Sequence, residues 1–434
     1  MGEALVDPGC HLSGEYMEVT MTGEITHPAK GIILLLLTAG CGPAGAPPLM
    51  TRSDSAGVAI VRYDALPDAA SSRITLSEEP VMTLGGAGSA PEQGFFQVAG
   101  VVRLSDGRIV VGDRGSGELR YFDPGGILLG KSGGAGDGPG EFRRLTFIGR
   151  TTGDSVVTGD AVLGRFQVFD PQGRYARGMS ATEVGRGVWG GRAVGVTARG
   201  RILATQYTPP TAGNEKPERA PYPLLLLDPA RNNWDTLAVL RGPGQLIRAT
   251  ERGFLMEGVT YGGQSDASAG DDVVAAVDTD VLGAQVFRGG KLVAVLRVAH
   301  APVPVTPDLL ARYAEEAMSL WPAGMSDESR NAFRQRVMTG PHGASLPLVV
   351  SVEVDAMGRV WLNRGRMPGE PREFFAVFSP EGEWLAEITM PPGLDRGTEG
   401  SNGPGMDIGR DYLLGVWRDE LGVETIRMYR LTDK

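Results

Sequence analysis

The chain has 434 residues and a formal net charge of −10, with 64 glycines and 30 prolines. Because glycine and proline break helices and form turns, this composition excludes a mostly helical protein. A hydrophobic fraction of 41% with 22% charged residues also excludes a disordered chain, and an acidic balance without a basic block leaves no electrostatic footprint for nucleic acid. We therefore expect a turn-rich β protein with no nucleic-acid partner.

The first 41 residues contain a targeting segment. Lys30 precedes the apolar run Ile32 to Leu37, which is followed by small residues and Cys41. The run is much shorter than the roughly 20 residues that a membrane-spanning helix needs, and it is typical of the apolar part of a signal peptide. Ala39-Gly40-Cys41 resembles the bacterial lipobox, with Thr38 where leucine is usual. The sequence thus predicts a lipid-modified Cys41; the alternative is an ordinary secretory signal with an incidental cysteine.

These features divide the chain into a signal peptide, a lipidated cysteine with a flexible linker, and a folded body (1–40, 41–56 and 57–434). Residues 1–29 carry five acidic residues and no Lys or Arg, so we expect the natural start at Met17 or Met21. Since no cysteine follows Cys41, the body has no disulfide and no thiolate metal site. We expect the protein outside the cytoplasm, held by lipid to the membrane on the periplasmic side or at the cell surface.

A unit of about 47 residues recurs along the body. Asp113 and Asp160 each end an apolar run and are 47 residues apart, as are Phe122 and Phe169 in the Phe-Asp-Pro turns that follow. Weaker copies place the same strand end at four further positions: Leu227, Phe287, Phe378 and Tyr429. Six units of this length predict an all-β, six-bladed β-propeller, since propeller blades commonly span about 40–50 residues.

The order of strands within the unit predicts how the ring closes. A unit contains an apolar strand such as Ile109–Val111, an alternating strand, a turn and an outer strand, and in the first two units the turn is Asp-Pro-x-Gly. Val81–Leu84 has the features of an outer strand without its own blade, and the last unit ends near Leu431 without one. We therefore expect this N-terminal strand to complete the last blade, which removes the open sheet edges. Gly57–Tyr63 is predicted to add a further strand outside.

Two of these units resemble the NHL-repeat family of propellers. The resemblance lies in the Gly-x-Gly-Pro-Gly-x-Phe segment from Gly136 to Phe142 and in the strand and turn from Asp160 to Asp170. It is specific in the first two blades and weak in the other four. It implies a six-bladed propeller lipoprotein of bacteria, a class whose members mostly act as binding platforms, while a minority are enzymes.

A long step between the fourth and fifth units leaves room for a short helical insertion at about 302–345. Thr306 is suited to N-cap one helix with Pro307 at its first position, and Ser326 is suited to begin a second. We expect the helical hairpin to pack on the side or face of the propeller. The alternative is a lid or partner-docking element over the central channel.

Three aspartates follow apolar strands at equivalent places in the repeat: Asp113, Asp160 and Asp278. Lactonase-type propellers bind one divalent cation, such as calcium, through carboxylate and amide oxygens near the channel, so these residues are the candidate metal ligands. The other interpretation is structural, with each Asp making turn and inter-blade hydrogen bonds. After the signal peptide only His300 and His342 remain, which are too few for a zinc site of the amidating-lyase type.

Arginines also follow these strands, with Arg114 directly after Asp113, and Arg364 and Arg366 in the fifth unit. Their guanidinium groups could hold an anionic ligand such as a carboxylate or sugar acid, although solvated surface arginines would give the same pattern. We expect a monomeric, non-enzymatic scaffold without a cofactor that binds a protein, peptide or glycan. The alternative is a metal-dependent hydrolase or lactonase-like enzyme that uses the central channel.

Overall fold

The computed structural model describes most of the chain that follows the targeting segment. The described residues are 50–180, 192–207, 216–228, 233–250, 253–319, 321, 324–365, 372–395, 405–419 and 421–434. The predicted signal peptide, Cys41 and Arg366 lie outside the described residues. The predictions made for them are therefore not tested by the fold.

Four short strands precede the first blade: β1 (Met50–Ser55), β2 (Val58–Tyr63), β3 (Ile74–Leu76) and β4 (Met82–Gly85). β1 and β2 form a hairpin around Ala56 and Gly57, which both have positive φ. The prediction of a flexible linker over 41–56 is therefore wrong for residues 50–55. All six side chains of β1 are exposed, so no alternation of apolar residues marks it as a strand in the sequence.

Six antiparallel sheets, numbered as blades along the chain, make up the propeller. Blade 1 contains β5 (Val98–Arg103), β6 (Ile109–Asp113), β7 (Glu118–Phe122) and β8 (Leu128–Gly133). Blade 2 contains β9 (Leu145–Arg150), β10 (Val156–Asp160), β11 (Arg165–Phe169) and β12 (Tyr175–Ser180). Blade 3 contains β13 (Arg192–Val196), β14 (Ile202–Thr205), β15 (Pro221–Asp228) and β16 (Asn233–Arg241), and the separate hairpin β17 (Gln245–Thr250) and β18 (Gly253–Gly258) follows it.

The second half of the ring has the same order of strands. Blade 4 contains β19 (Ser265–Gly270), β20 (Val273–Asp278), β21 (Gly283–Arg288) and β22 (Lys291–Val298), and the helices α1 (Pro307–Ser319) and α2 (Asp327–Thr339) follow it. Blade 5 contains β23 (Ser351–Val354), β24 (Val360–Asn363), β25 (Phe374–Phe378) and β26 (Trp384–Thr389). Blade 6 contains β27 (Asp407–Ile408), β28 (Tyr412–Arg418) and β29 (Glu424–Asp433). The predicted six-bladed β-propeller is confirmed.

Each blade buries its faces against the two neighbouring blades. Alternate residues of β6 illustrate this, because Val110 packs into the core between blades 1 and 2, whereas Ile109 and Val111 pack into the core between blades 6 and 1. Four further clusters fill the remaining interfaces, between blades 2 and 3, 3 and 4, 4 and 5, and 5 and 6. The hydrophobic core is therefore divided into six layers, one at each boundary between blades.

The ring is closed by an N-terminal strand, as the sequence predicts. β4 pairs antiparallel with β29, so that Leu84 lies opposite Ile426 and Met82 opposite Met428. Leu84 is 1% exposed and belongs to the core between blades 6 and 1. β2 is also an outer strand, but it runs parallel to β22 on blade 4, so the prediction that Gly57–Tyr63 lies outside the last blade is wrong.

The helical insertion is also confirmed. The Thr306 Oγ1 accepts a hydrogen bond from the backbone N–H of Leu309, and the Ser326 Oγ accepts one from the N–H of Ser329, so both predicted residues cap their helices. The apolar stripes of α1 and α2 pack on each other around Ala314 and on Tyr261 from the connection between blades 3 and 4. The insertion thus packs on a neighbouring connection of the propeller.

Closure by β4 predicts a specific loss of stability. Leu84→Ala removes a fully buried side chain at the boundary of the last and first blades, so we expect the free energy of unfolding to fall by about 2–5 kcal/mol. Val81→Ala, at a 49% exposed position just before the same strand, is the matched control and is expected to change it by no more than about 0.5 kcal/mol. Urea unfolding followed by circular dichroism measures both, and equal effects of the two variants would contradict closure by this strand.

Candidate functional site

The topology collects two sets of loops on one face of the propeller. Because the strands of a blade are antiparallel, the loop between its second and third strands lies on the same face as the connection to the next blade. We call this the connection face. Asp113, Asp160 and Asp278 are each the last residue of a second strand, so all three lie on it.

Asp113 connects two loops of this face through hydrogen bonds and an ion pair. One carboxylate oxygen accepts a hydrogen bond from the Ser116 N–H (3.1 Å), and the other is 3.0 Å from a guanidinium nitrogen of Arg120. Arg120 is buried and donates to the carbonyl oxygens of Glu92 and Gly94, in the connection between blades 6 and 1. Asp113 therefore stabilises the turn after β6 and, through Arg120, the connection beside it.

Asp160 and Asp278 have similar structural roles. Asp160 accepts four backbone N–H groups at 2.7–3.0 Å, from Arg143 and Arg144 before β9 and from Val162 and Leu163 after β10. Asp278 accepts a hydrogen bond from Arg219 at 2.9 Å, in the loop between the second and third strands of blade 3. Each carboxylate is buried and bonded to groups of its own or the neighbouring blade.

The structure does not bring the three aspartates together. In the part of the chain that the structure describes, no three His, Cys, Asp or Glu side chains lie close enough to hold one metal ion. The prediction of a shared cation site at Asp113, Asp160 and Asp278 is therefore wrong for the described residues. The physical reason is that each carboxylate is already bonded to turn amides or to an arginine of its own or the neighbouring blade.

Arg114 lies at the boundary between blades 1 and 2. Its Nε donates to the carbonyl oxygen of Leu145 at 3.0 Å, so the side chain crosses from the turn after β6 to the start of β9. Arg144, whose side chain is exposed, immediately precedes Leu145. Burial and the positive charge of Arg144 lower the pKa of Arg114, while Glu424 acts in the opposite direction.

The two arginines differ from their neighbours in lacking ion-pair partners. Among the described residues, neither Arg114 nor Arg144 has a carboxylate within 4 Å, whereas Arg120 and Arg143 are paired. Glu424, the carboxylate that acts on Arg114, is itself buried, bonded to Arg418 at 2.7 Å and to the Val98 N–H at 3.0 Å. Arg114 and Arg144, which are brought next to each other by the bond of Arg114 to Leu145 on the connection face, are called the arginine pair.

The other predicted arginines do not join this pair. Arg364 follows β24 on blade 5 and is 2.7 Å from the carboxylate of Glu387, so its charge is already balanced. Blade 6 separates blade 5 from blade 1 in the ring. Arg366 lies outside the described residues.

Sequence reasoning missed Arg144, as well as an aromatic residue nearby. Phe96, in the connection that leads into β5, is 65% exposed, and its carbonyl oxygen accepts a hydrogen bond from Gly115 N–H at 2.9 Å. Gln97, the next residue, has the positive φ of +57° that L-residues rarely adopt, and its carbonyl oxygen accepts from the Arg114 N–H.

The repeat itself contains a signal for these residues. The bond from Arg114 N–H to the Gln97 oxygen recurs 47 residues later, from Ala161 N–H to the Arg144 oxygen. Blade 2 therefore has Ala where blade 1 has Arg, and Arg where blade 1 has Gln. Aligning the two units and looking for charged residues that are present in only one of them would have identified both Arg114 and Arg144.

No protein-family model matches the sequence, and no curated protein does. Several solved structures resemble the chain at very low identity. A Bacteroides vulgatus member of the DUF4221 family is 8% identical, with 84% of this chain and 99% of that chain covered and a TM-score of 0.48. A Bacteroides fragilis protein is 12% identical (86% and 99% covered, TM-score 0.45), and virginiamycin B lyase from Staphylococcus aureus is 9% identical (83% and 99% covered, TM-score 0.39). At these values the likenesses carry no argument about ligand or activity.

No helix within the described ranges is long and apolar enough to cross a membrane.

The structural role of Asp160 is testable. Asp160→Ala leaves four backbone N–H groups without their acceptor, so we expect the free energy of unfolding to fall by about 2–4 kcal/mol. The control Asp137→Ala removes an exposed carboxylate paired with Arg143 in the same region, and its free energy of unfolding is expected to stay close to that of the wild type. Thermal melts with and without calcium complete the test, because a calcium-dependent rise in melting temperature that Asp160→Ala abolishes would restore the cation site.

Proposed function

We propose that this protein is a lipid-anchored binding scaffold outside the cytoplasm, and that the connection face at blades 1 and 2 holds an anionic, carboxylate-bearing ligand. The observation that carries the proposal is the arginine pair. The Arg114 side chain reaches the carbonyl oxygen of Leu145, the residue directly after the exposed Arg144 of the next blade. Among the described residues neither arginine has a carboxylate within 4 Å, whereas Arg120 and Arg143 in the same region are paired.

The electrostatics of the arginine pair favour an anion. Like charges that are close together repel each other, and the partial burial of Arg114 removes part of the hydration that would stabilise its charge. A carboxylate bound between them relieves both costs, and guanidinium forks match carboxylate geometry. An anion therefore gains more at this position than at an isolated surface arginine.

A binding role agrees with the use that the structure makes of its carboxylates. General acid–base or metal-assisted hydrolysis needs carboxylates that face the substrate. Asp113, Asp160 and Asp278 are instead bonded to turn amides or to arginines. These three carboxylates hold turns and connections in place, so catalysis is not assigned to them.

The extracytoplasmic location and the lipid anchor rest on the sequence. The apolar run that ends in Ala39-Gly40-Cys41 supports export and modification of Cys41. The resemblance to NHL-repeat lipoproteins supports the same location. No cysteine follows Cys41, which suits an oxidising compartment.

The arginine pair predicts how affinity changes. Isothermal titration with triglutamate and trigalacturonate measures binding by the wild type and by Arg144→Ala. Loss of a charge-assisted contact of about 1.5–3 kcal/mol corresponds to weakening by roughly 10-fold or more, and added salt is expected to weaken the wild type as well. Arg174→Ala removes an exposed arginine near the turn between the third and fourth strands of blade 2, on the opposite face, and is expected to leave the affinity unchanged. Equal affinities of wild type and Arg144→Ala for both probes would refute the site.

The lipid anchor predicts a change of location. Cys41→Ser removes the only residue that can be acylated by lipobox processing, so we expect the protein to move from the membrane fraction to the soluble fraction. Fractionation and fatty-acid labelling in a bacterial host measure this, and Thr51→Ser, at an exposed residue of β1 downstream of Cys41, is the control. A wild type that is already in the soluble fraction would support the ordinary secretory signal, and retention of Cys41→Ser in the membrane fraction would indicate another attachment.

A further inference from the structure

The exposed ring of Phe96 is held in place by its surroundings. A Cβ added to Gly115 would lie 2.7 Å from the Phe96 Cδ1, so the ring rests on the glycine that directly follows Arg114. The backbones are bonded as well, because the N–H groups of Arg114 and Gly115 donate to the carbonyl oxygens of Gln97 and Phe96. The ring and the arginine pair therefore belong to one small region of the connection face.

This segment directs its two phenylalanines in opposite directions. Phe95 packs into the core between blades 6 and 1, with its ring centroid 6.0 Å from that of Phe122. Phe96 is instead 65% exposed, and the left-handed conformation of Gln97 follows it immediately. Strained backbone that persists in a rigid surrounding is characteristic of functional sites.

The surroundings of Phe96 are rigid. Arg120, held by Asp113, bonds to the carbonyl oxygens of Glu92 and Gly94 and so fixes the connection that carries the ring. Exposure of a large aromatic side chain has a free-energy cost in water, which a ligand that covers the ring removes. The ring is thus a preformed apolar surface beside two cations.

We infer that the ligand is a glycan that contains hexuronic acid. Resting on the proposed anion-binding function, this inference names the ligand class: the C–H face of a pyranose ring stacks on Phe96, and the carboxylate of a uronic acid binds to the arginine pair. A pyranose face is apolar and flat enough to cover an aromatic ring. Phe96 lies on Gly115, which directly follows Arg114, so the apolar face and the carboxylate of the ligand have to be close together. A uronic acid carries both within a single sugar unit.

Three probes separate the ring from the charge. Trigalacturonate carries sugar rings and carboxylates, its methyl ester carries the rings alone, and triglutamate carries carboxylates alone. Calorimetry is performed on the wild type, Phe96→Ala, Phe96→Trp and Val162→Ala. Val162 is the matched control, because it is a 52% exposed apolar residue in the loop after β10 on the same face.

We expect the wild type to bind trigalacturonate more tightly than either other probe. Phe96→Ala should weaken trigalacturonate by about 10-fold and leave triglutamate unchanged, Phe96→Trp should retain binding, and Val162→Ala should have no effect. Since Phe96 is exposed, thermal melts of its variants should match the wild type.

Two results would overturn the inference while leaving the proposed anion site intact. One is an unchanged affinity of Phe96→Ala for trigalacturonate; the other is binding of triglutamate as tightly as trigalacturonate with sensitivity to Arg144→Ala alone, which would indicate an acidic peptide. Failure of the proposed function has a different signature, namely that Arg144→Ala leaves the affinity for both charged probes unchanged.

Discussion

The packing of each blade between two neighbours is the constraint on which the structure depends. A single four-stranded blade has two apolar faces and cannot bury either of them alone. All six boundaries between blades are filled by separate clusters of buried side chains, and the alternation of residues along a strand such as β6 sends successive side chains into different clusters. The ring has to close for the cluster between blades 6 and 1 to exist. The pairing of β4 with β29 provides that closure, because it brings a strand from before the first blade into the same sheet as the last strand.

The same constraint determines which polar groups remain available on the connection face. The turns and connections must be fixed to the ring, and the repeat does so with buried side chains: Asp113 and Asp160 at the ends of second strands, and Arg120 and Gln167 on third strands. Arg120 donates to the carbonyl oxygen of Gly94, and Gln167, 47 residues later, donates to that of Glu141. Groups used in this way hold loops in place. Arg144 and Phe96 stand outside this pattern, and Arg114, although it binds the Leu145 oxygen, has no carboxylate within 4 Å among the described residues. These three residues are therefore the best candidates for contact with a ligand.

The sequence-based predictions were correct where they rested on local patterns, such as buried strands, turns and helix caps, and wrong for the shared cation site, which needed contacts between distant parts of the chain. Strands that are buried on both sides, such as Ile109–Asp113, recur in every unit, and the first two units repeat at 47 residues with the same Asp-Pro-x-Gly turn, so blade number and closure were predictable. The capping residues Thr306 and Ser326 marked two helix starts because caps act within one turn. β1 was missed because its exposed polar residues carry no alternation. The shared cation site was wrong because equivalent positions in a repeat are related by rotation around the ring, and equivalence in sequence therefore does not bring side chains together.

The sequence by itself determined the repeat, the six-bladed ring, its closure and the helical hairpin, since all of these follow from local periodicity, turn chemistry and the need to bury apolar faces. Only the tertiary structure decided which polar side chains already have hydrogen-bond or ion-pair partners within the protein. Whether Asp160 binds backbone amides, or whether Arg114 crosses to Leu145 beside Arg144, depends on contacts between loops of adjacent blades. The placement of Phe96 on Gly115 likewise depends on a connection that meets a turn 19 residues away in the chain. Such contacts cannot be read from the repeat in the sequence, because the residues that make them differ from one unit to the next.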